Sequence, residues 1–220
     1  MELFNNISKW ISEKIFQEAD PNKNKIIKKY EVLVLGDRGV GKTSLCQRFT
    51  KDSFSLEENP TTANNLFTKL YRIFDNDIQL DLLDIEEGYY KIHCTDILST
   101  IDGIMIVYDV TKPFTFHKLE KWNLDIQEKS NYRYIPQIIV GNKTDLEFMR
   151  NVDSEEGEEK AFKLDSLFTE SNCIHFEMTE KPFKHILSKL IINDLNEENR
   201  NKLRSSIISI EEKLKRSNKE

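Results

Sequence analysis

The sequence predicts an α/β protein with a doubly wound, mostly parallel β-sheet that helices cover on both faces. Short, continuous apolar runs that are typical of buried parallel strands lie at 32–35, 103–108 and 135–140. Stretches with helical periodicity lie between and after these runs, at 114–128, 155–168 and 182–195. Strands that alternate with helices favour a parallel sheet between two helical layers.

One edge of this sheet is predicted to be an antiparallel hairpin. Residues 66–74 and 78–83 alternate between apolar and polar side chains, as strands with one buried face do. The segment between them, Asp75-Asn76-Asp77, has the chemistry of a tight turn. We therefore expect the two strands to pair with each other.

The two ends of the chain differ from its middle. Residues 3–16 place apolar side chains on one arc of a helix, and residues 20–25 then break the pattern as a linker would. Near the other end, a narrow apolar stripe runs through a charged segment, at Leu203, Ile207, Ile210 and Leu214. We predict an amphipathic helix and linker over 1–29, one domain over 30–195 and a charged helical tail over 196–220.

Composition excludes several classes of function. The formal net charge of −6 argues against nucleic acid as a partner, because phosphate contacts require clustered basic residues. The three cysteines lie far apart without metal-ligand spacing, which is typical of reduced thiols in a cytoplasmic protein. No run of about 18 apolar residues is present, so we predict no membrane-spanning segment.

The strongest motif is a glycine-rich loop between the first apolar run and a helix that begins near Ser44. It reads Gly36-Asp37-Arg38-Gly39-Val40-Gly41-Lys42-Thr43, which fits the phosphate-binding loop pattern. The backbone amides of such a loop and the helix N-terminus wrap phosphate groups. Lys42 is predicted to contact the β- and γ-phosphates, and the Thr43 hydroxyl to ligate Mg²⁺.

Two further motifs follow strands in the order that a guanine-nucleotide site requires. Asp84 ends a strand, where a carboxylate would hold Mg²⁺ through water. Gly141-Asn142-Lys143-Thr144-Asp145 follows a buried strand, and the Asp145 carboxylate can accept both the ring N–H and the exocyclic amine of guanine. Adenine does not present that donor pair. Asn142 and Lys143 are expected to fix the loop and cover the ring.

Together these motifs resemble those of Ras-superfamily small GTPases, most closely the Rab branch, over about 30–195. The resemblance implies a six-stranded sheet with one antiparallel edge strand, GTP and GDP as ligands, and Mg²⁺. By this match, Phe54 packs against the purine, and Thr61 ligates Mg²⁺ and senses the γ-phosphate. Segment 177–181 takes the place of the family's base-contacting loop, with Thr179, Glu180 and Lys181 as the residues nearest the base.

The chain departs from the family where the family hydrolyses GTP. After Asp84, Ile85-Glu86-Glu87-Gly88 replaces the segment that carries the water-orienting glutamine. Arg38 stands at a loop position that is small in most members, where a large side chain crowds the γ-phosphate. We expect a switch with weak hydrolysis, in which Lys42 and Thr61 are the catalytic contacts. The alternative is an interaction module that stays loaded with nucleotide and does not cycle.

The sequence names neither an effector nor an exchange factor. Segment 62–66 departs from the effector signature of Rab proteins, so we do not expect the effectors of that family to fit. The chain ends without the prenylated cysteines of that branch, so we expect a cytoplasmic protein, peripheral to a membrane at most. Segment 3–16 has three open roles: it contacts a membrane surface, folds onto the domain or the 203–214 stripe, or binds a helical partner.

Overall fold

The structure, a computed structural model, describes residues 16–18, 26–51, 64–73 and 76–194. The strands are β1 (Phe16–Glu18), β2 (Ile26–Leu35), β3 (Asn65–Ile73), β4 (Asn76–Asp84), β5 (Gly103–Asp109), β6 (Gln137–Asn142) and β7 (Leu167–Glu170). The α-helices are α1 (Lys42–Lys51), α2 (Glu87–Thr100), α3 (Pro113–His117), α4 (Leu119–Lys129), α5 (Ser154–Lys163) and α6 (Phe176–Asp194). A 3-10 helix spans Thr144–Met149.

These strands form one sheet in the order β1-β3-β4-β2-β5-β6-β7. The pairs β2–β4, β2–β5, β5–β6 and β6–β7 are parallel, and β3–β4 is the predicted antiparallel hairpin. The mostly parallel α/β fold is therefore confirmed. Because parallel strands end at the same edge, the segments that follow β2, β5 and β6 meet beside one another.

The sheet is buried on both faces, as its apolar strands require. In β2, Val32 and Val34 face the layer of α1 and α6, whereas Leu33 and Leu35 face the layer of α2, α4 and α5. This alternation follows from the period of two in a strand. On the first face, the rings of Phe49 and Phe183 stack with their centroids 4.0 Å apart, which joins α1 to α6.

Several predicted boundaries are wrong. β1 extends the expected six-stranded sheet to seven strands by pairing antiparallel with β3, and it includes Phe16, which we had assigned to the N-terminal helix. β2 begins at Ile26, inside the predicted linker. The predicted helix 155–168 ends at Lys163, and its last residues belong to β7. The predicted helix 114–128 is two helices separated at Lys118. Residues 3–15 and 199–218 lie outside the described part.

Candidate functional site

The phosphate loop joins β2 to α1 in a tight path that two of its glycines make feasible. Gly36 has φ +136, and a Cβ atom there would lie 2.2 Å from the Val107 carbonyl oxygen. Gly41 has φ +95, and a Cβ atom there would lie 2.5 Å from Nδ2 of Asn142. Both positions combine a left-handed backbone with a close neighbour, so a side chain is excluded on two grounds.

Lys42 and the first turn of α1 supply the positive end of this loop. Nζ of Lys42 donates to the carbonyl oxygens of Gly36 at 2.7 Å and of Asp37 at 3.0 Å. Burial lowers the pKa of Lys42, against the opposing charges of Asp84 and Asp37. The backbone dipoles of the ten-residue α1 place a partial positive charge at its start, which favours an anion at this point.

Thr43 and Asp84 lie side by side where the magnesium site was predicted. Thr43 Oγ1 donates to Asp84 Oδ2 at 2.6 Å, and Asp84 is fully buried at the end of β4. Burial raises the pKa of Asp84, against the hydrogen bond from Thr43 and the charge of Lys42. Its Oδ1 is a buried atom with no geometrically satisfied hydrogen bond among the described residues. A hydroxyl beside such a carboxylate oxygen fits Mg²⁺, a hard cation that prefers oxygen ligands.

Phosphate oxygens would have to complete the coordination of that cation. Over the described ranges, no cluster of three or more His, Cys, Asp or Glu side chains could hold a metal ion by itself. Thr61, the other predicted ligand, lies outside those ranges, as does Phe54. The arrangement is consistent with Mg²⁺ that binds together with a nucleotide, since this ion usually keeps few protein ligands.

The predicted guanine motif lies beside the phosphate loop. Asn142, which ends β6, donates from Nδ2 to the Val40 carbonyl oxygen at 2.8 Å, so it ties the two loops together. Lys143 has a left-handed backbone with φ 69 and ψ 34. Asp145 follows in the first turn of the 3-10 helix, with its side chain exposed to solvent. An exposed carboxylate next to the loop is available to a base.

Asp109 holds Lys143 in place, a role that the motifs did not predict. Its Oδ2 lies 3.0 Å from Nζ of Lys143, and its Oδ1 accepts hydrogen bonds from the amide and the hydroxyl of Thr111. Burial alone would raise the pKa of this fully buried carboxyl, but Thr111 and Lys143 outweigh it and lower the pKa. The signal for this contact is the acid that ends β5, next to the strand that carries the guanine motif.

The predicted base-contacting loop is wrong. Thr179, Glu180 and Lys181 lie inside α6 rather than in a loop, and Thr179 is fully buried. The Thr179 hydroxyl donates to the Asn172 carbonyl oxygen at 2.7 Å, and Glu180 pairs with Lys184 at 2.7 Å. These side chains therefore support the helix and its packing.

The segment that reaches the guanine motif is 171–173, which directly follows β7. The Ser171 carbonyl oxygen accepts from the amide of Thr144 at 3.2 Å and from its hydroxyl at 3.1 Å. Asn172 Nδ2 also donates to the Thr144 hydroxyl at 3.1 Å. The sequence pattern did not indicate this loop, because the predicted helix 155–168 includes the first two residues of the strand before it, β7.

The segment that follows Asp84 becomes helical at once. α2 begins at Glu87, which pairs with Lys91 one turn later at 2.6 Å, and Gly88 is exposed in its first turn. Tyr90 is 1% exposed, and its hydroxyl donates to Asp125 Oδ2 of α4 at 2.9 Å. Hence α2 is anchored to α4 close to the phosphate loop, while Glu87 and Gly88 face solvent.

Arg38 protrudes from the phosphate loop into solvent. The described part of the chain places residues 36–44, Asp84, Asn142, Lys143 and Asp145 at one edge of the sheet. A phosphate loop, a paired hydroxyl and carboxylate, and a guanine motif at that edge define the phosphate-loop class of nucleotide-binding proteins.

Comparison with known sequences identifies the family within this class. The sequence profile of the Ras family matches residues 31–192. This chain therefore belongs to the Ras family and is Rab-like, a small GTP-binding protein of a family that uses GTP, GDP and Mg²⁺ and hydrolyses GTP.

Three relatives illustrate the similarity. Ras-related protein Rab-11A of Dictyostelium discoideum is 31% identical over 163 residues, which cover 73% of this chain and 75% of the relative. Ras-related protein RABA2a of Arabidopsis thaliana is also 31% identical, with coverage of 73% and 74%. Ras-related protein YPTC6 of Chlamydomonas reinhardtii is 30% identical over 183 residues, with coverage of 79% and 83%. Within the residues that the structure describes, no helix is long and apolar enough to cross a bilayer.

Proposed function

We propose that this protein is a Rab-like switch that binds GTP and GDP with Mg²⁺ and hydrolyses GTP slowly. The observation that carries the proposal is the start of α2, where Glu87 and Gly88 stand in place of a water-orienting glutamine. A hydrolytic GTPase uses that glutamine to position the attacking water. In the assigned roles, Lys42 contacts the phosphates, Thr43, Asp84 and Thr61 serve Mg²⁺, and Asp145 reads the base.

Arg38 supports slow turnover for a second reason. By the family resemblance, its loop position lies beside the γ-phosphate and in the path of an incoming arginine, so we infer that a large side chain there hinders hydrolysis. The exposed side chain has room to move, so it does not block binding of the nucleotide itself. Glu87 adds a negative charge near Lys42, which disfavours the additional charge of the γ-phosphate.

Single-turnover hydrolysis of loaded GTP with Mg²⁺ tests this proposal. We expect a rate constant below about 10⁻⁴ s⁻¹, the order of unassisted hydrolysis in this family. Gly88→Gln should raise the rate, because it supplies a glutamine that can orient the attacking water. The side chain fits there, since a Cβ atom at Gly88 would meet nothing closer than Glu86 Oε1 at 3.7 Å. Arg38→Gly should raise it as well. Ile92→Gln, at a site 77% exposed in the same helix, is the control. Fast hydrolysis by the unmodified protein would refute the proposal.

A second candidate function is an interaction module that stays loaded and does not cycle. The partly buried hydrogen bond between Tyr90 and Asp125 favours it, since an α2 that is fixed to α4 has less freedom to respond to the γ-phosphate. Hydrogen exchange of segment 87–100 in GDP-loaded and GTP-loaded protein separates the two candidates. Equal exchange would support the module, and faster exchange with GDP would support the switch.

We further propose a place in membrane trafficking, by analogy with the Rab relatives, with a cytoplasmic protein whose segment 3–16 contacts a membrane surface. The apolar arc of that segment and Trp10 within it support this role. Flotation with anionic liposomes should carry the full chain but not a chain that begins at Phe16, which retains β1. Equal flotation of both proteins would contradict the membrane contact.

A further inference from the structure

The phosphate loop contains an acidic side chain, Asp37, whose negative charge opposes the binding of phosphate groups. Asp37 follows the first glycine of the loop, and its side chain is 8% exposed. A buried anion beside a site for phosphate groups repels those groups and is itself costly to desolvate. The Asp37 charge therefore has to be neutralised if the loop is to accept a nucleotide.

Lys118 provides the positive charge that neutralises Asp37. It lies between α3 and α4, and its Nζ is 2.6 Å from Asp37 Oδ2. The same ammonium lies 5.8 Å from the centre of the Phe114 ring, which adds a weak attraction to the aromatic face. The hydrogen bond with Asp37 raises the pKa of Lys118, so the ammonium stays charged.

Lys42, the lysine of the phosphate loop itself, makes different contacts. Nζ of Lys42 bonds the backbone oxygens of Gly36 and Asp37, and its expected task is to contact the phosphates. Lys118 is also attracted to Glu87 at the start of α2. Lys118 therefore contacts the carboxylate of the phosphate loop directly and is attracted to the acid that begins α2.

We propose that Lys118 is a positioning residue for nucleotide binding, which neutralises Asp37 and so lets the phosphate loop accept a nucleoside diphosphate. This inference rests on the proposed guanine-nucleotide function. Its specific consequence is that Lys118 matters only because Asp37 is charged. Removal of the lysine should weaken nucleotide binding when Asp37 is charged, and should have little effect once Asp37 is replaced by a neutral residue.

The test measures dissociation of a fluorescent N-methylanthraniloyl GDP from the full chain with Mg²⁺ present. Lys118→Met should accelerate release about tenfold or more, because one partner of a hydrogen-bonded charge pair is removed while the other stays buried. Asp37→Asn is the reference for the double variant: on that background, Lys118→Met should change the release rate by less than about twofold, as a double-mutant cycle measures. Lys118→Arg should keep slow release, since the charge is preserved.

Lys121→Met is the matched control, because Lys121 is an exposed lysine in the same part of the chain, in α4. Release from Lys118→Met at the unmodified rate would overturn the inference. If Lys118→Met accelerated release by the same factor in the Asp37→Asn background as in the unmodified protein, the inference would also be overturned, since the lysine would then act independently of Asp37. Failure of the unmodified protein to bind the probe would instead contradict the proposed function.

Discussion

Tyr90→Phe removes one oxygen atom from the anchor between α2 and α4. The Tyr90 hydroxyl donates to Asp125 Oδ2 at 2.9 Å, and the ring lies 5.7 Å from that of Trp122. Burial and the neighbouring Asp125 carboxylate raise the pKa of Tyr90, so the phenol is protonated and donates the hydrogen bond at neutral pH. The variant should therefore lose this hydrogen bond and keep the ring packing.

The size of the loss follows from the chemistry of the pair. A hydrogen bond to a charged group contributes about 1.5–3 kcal/mol, and we expect the lower end because water can reach the half-buried Asp125. For a chain of this length, about 1.5 kcal/mol corresponds to a fall in Tm of roughly 3–6 °C. The measurement is thermal unfolding of the GDP-loaded protein, with hydrogen exchange of segment 87–100 as a local readout.

Tyr89→Phe is the control for this experiment. Tyr89 is 42% exposed, and within the described residues its ring lies against His93 rather than in the core. We expect a change within about 0.5 kcal/mol, which is usual for surface positions. If Tyr90→Phe and Tyr89→Phe had equal effects, or if exchange over 87–100 did not increase in the first, the anchoring of α2 by this hydrogen bond would be disproved.

Three further predictions concern the loops and the base of the sheet. Thr43→Ala should release GDP fast with or without EDTA, whereas the unmodified protein should release it fast only with EDTA, as dissociation assays can show. Gly41→Ala should destabilise the protein by more than Gly39→Ala in urea unfolding, because both have positive φ but only the first Cβ meets a neighbour, at 2.5 Å. Burial would raise the pKa of Asp194, but hydrogen bonds from Lys28 and Tyr30 lower it. The ionised carboxylate stabilises the folded protein above the ordinary carboxyl pKa of about 3.9, and this stabilisation is lost as pH falls through the lower pKa of Asp194 in the folded protein. In Asp194→Asn, the free energy of unfolding should therefore fall less steeply as the solution is acidified.

The phosphate loop and the guanine motif could be predicted because their signals are local. In each case a continuous apolar strand comes directly before the motif, so the pattern of the strand places the residues that follow it. The hairpin of β3 and β4 was equally accessible, since alternation and turn residues occur together. Parallel strands then bring these separate motifs to one edge without further information.

The base-contacting loop could not be placed in the same way. Leu164 and Phe168 are four residues apart and fit the preceding helical pattern, so β7 was read as its continuation. The strand has only four residues, with an alternation of buried and partly buried side chains that is too short to be recognised. Once β7 was missed, the loop was sought too far along the chain.

The ion pair between Lys118 and Asp37 is a different case. The two residues are 81 positions apart in the sequence, and neither has a local pattern that indicates the other. The pairing of β1 with β3 is similar, because a strand of three residues is too short to show a pattern of its own and forms by pairing with the edge of the sheet. Contacts of this kind depend on the assembled sheet and become visible only in the structure.

The guanine-nucleotide site is tested most directly by identification of the nucleotide that the purified protein carries and exchanges. We predict that denaturation releases guanine nucleotide, and that GTP and GDP but not ATP displace labelled GDP in competition assays with Mg²⁺. Asp145→Ala should remove the preference for guanine while the phosphate loop remains intact. Displacement of GDP by ATP as efficiently as by GTP would contradict the assignment of the site.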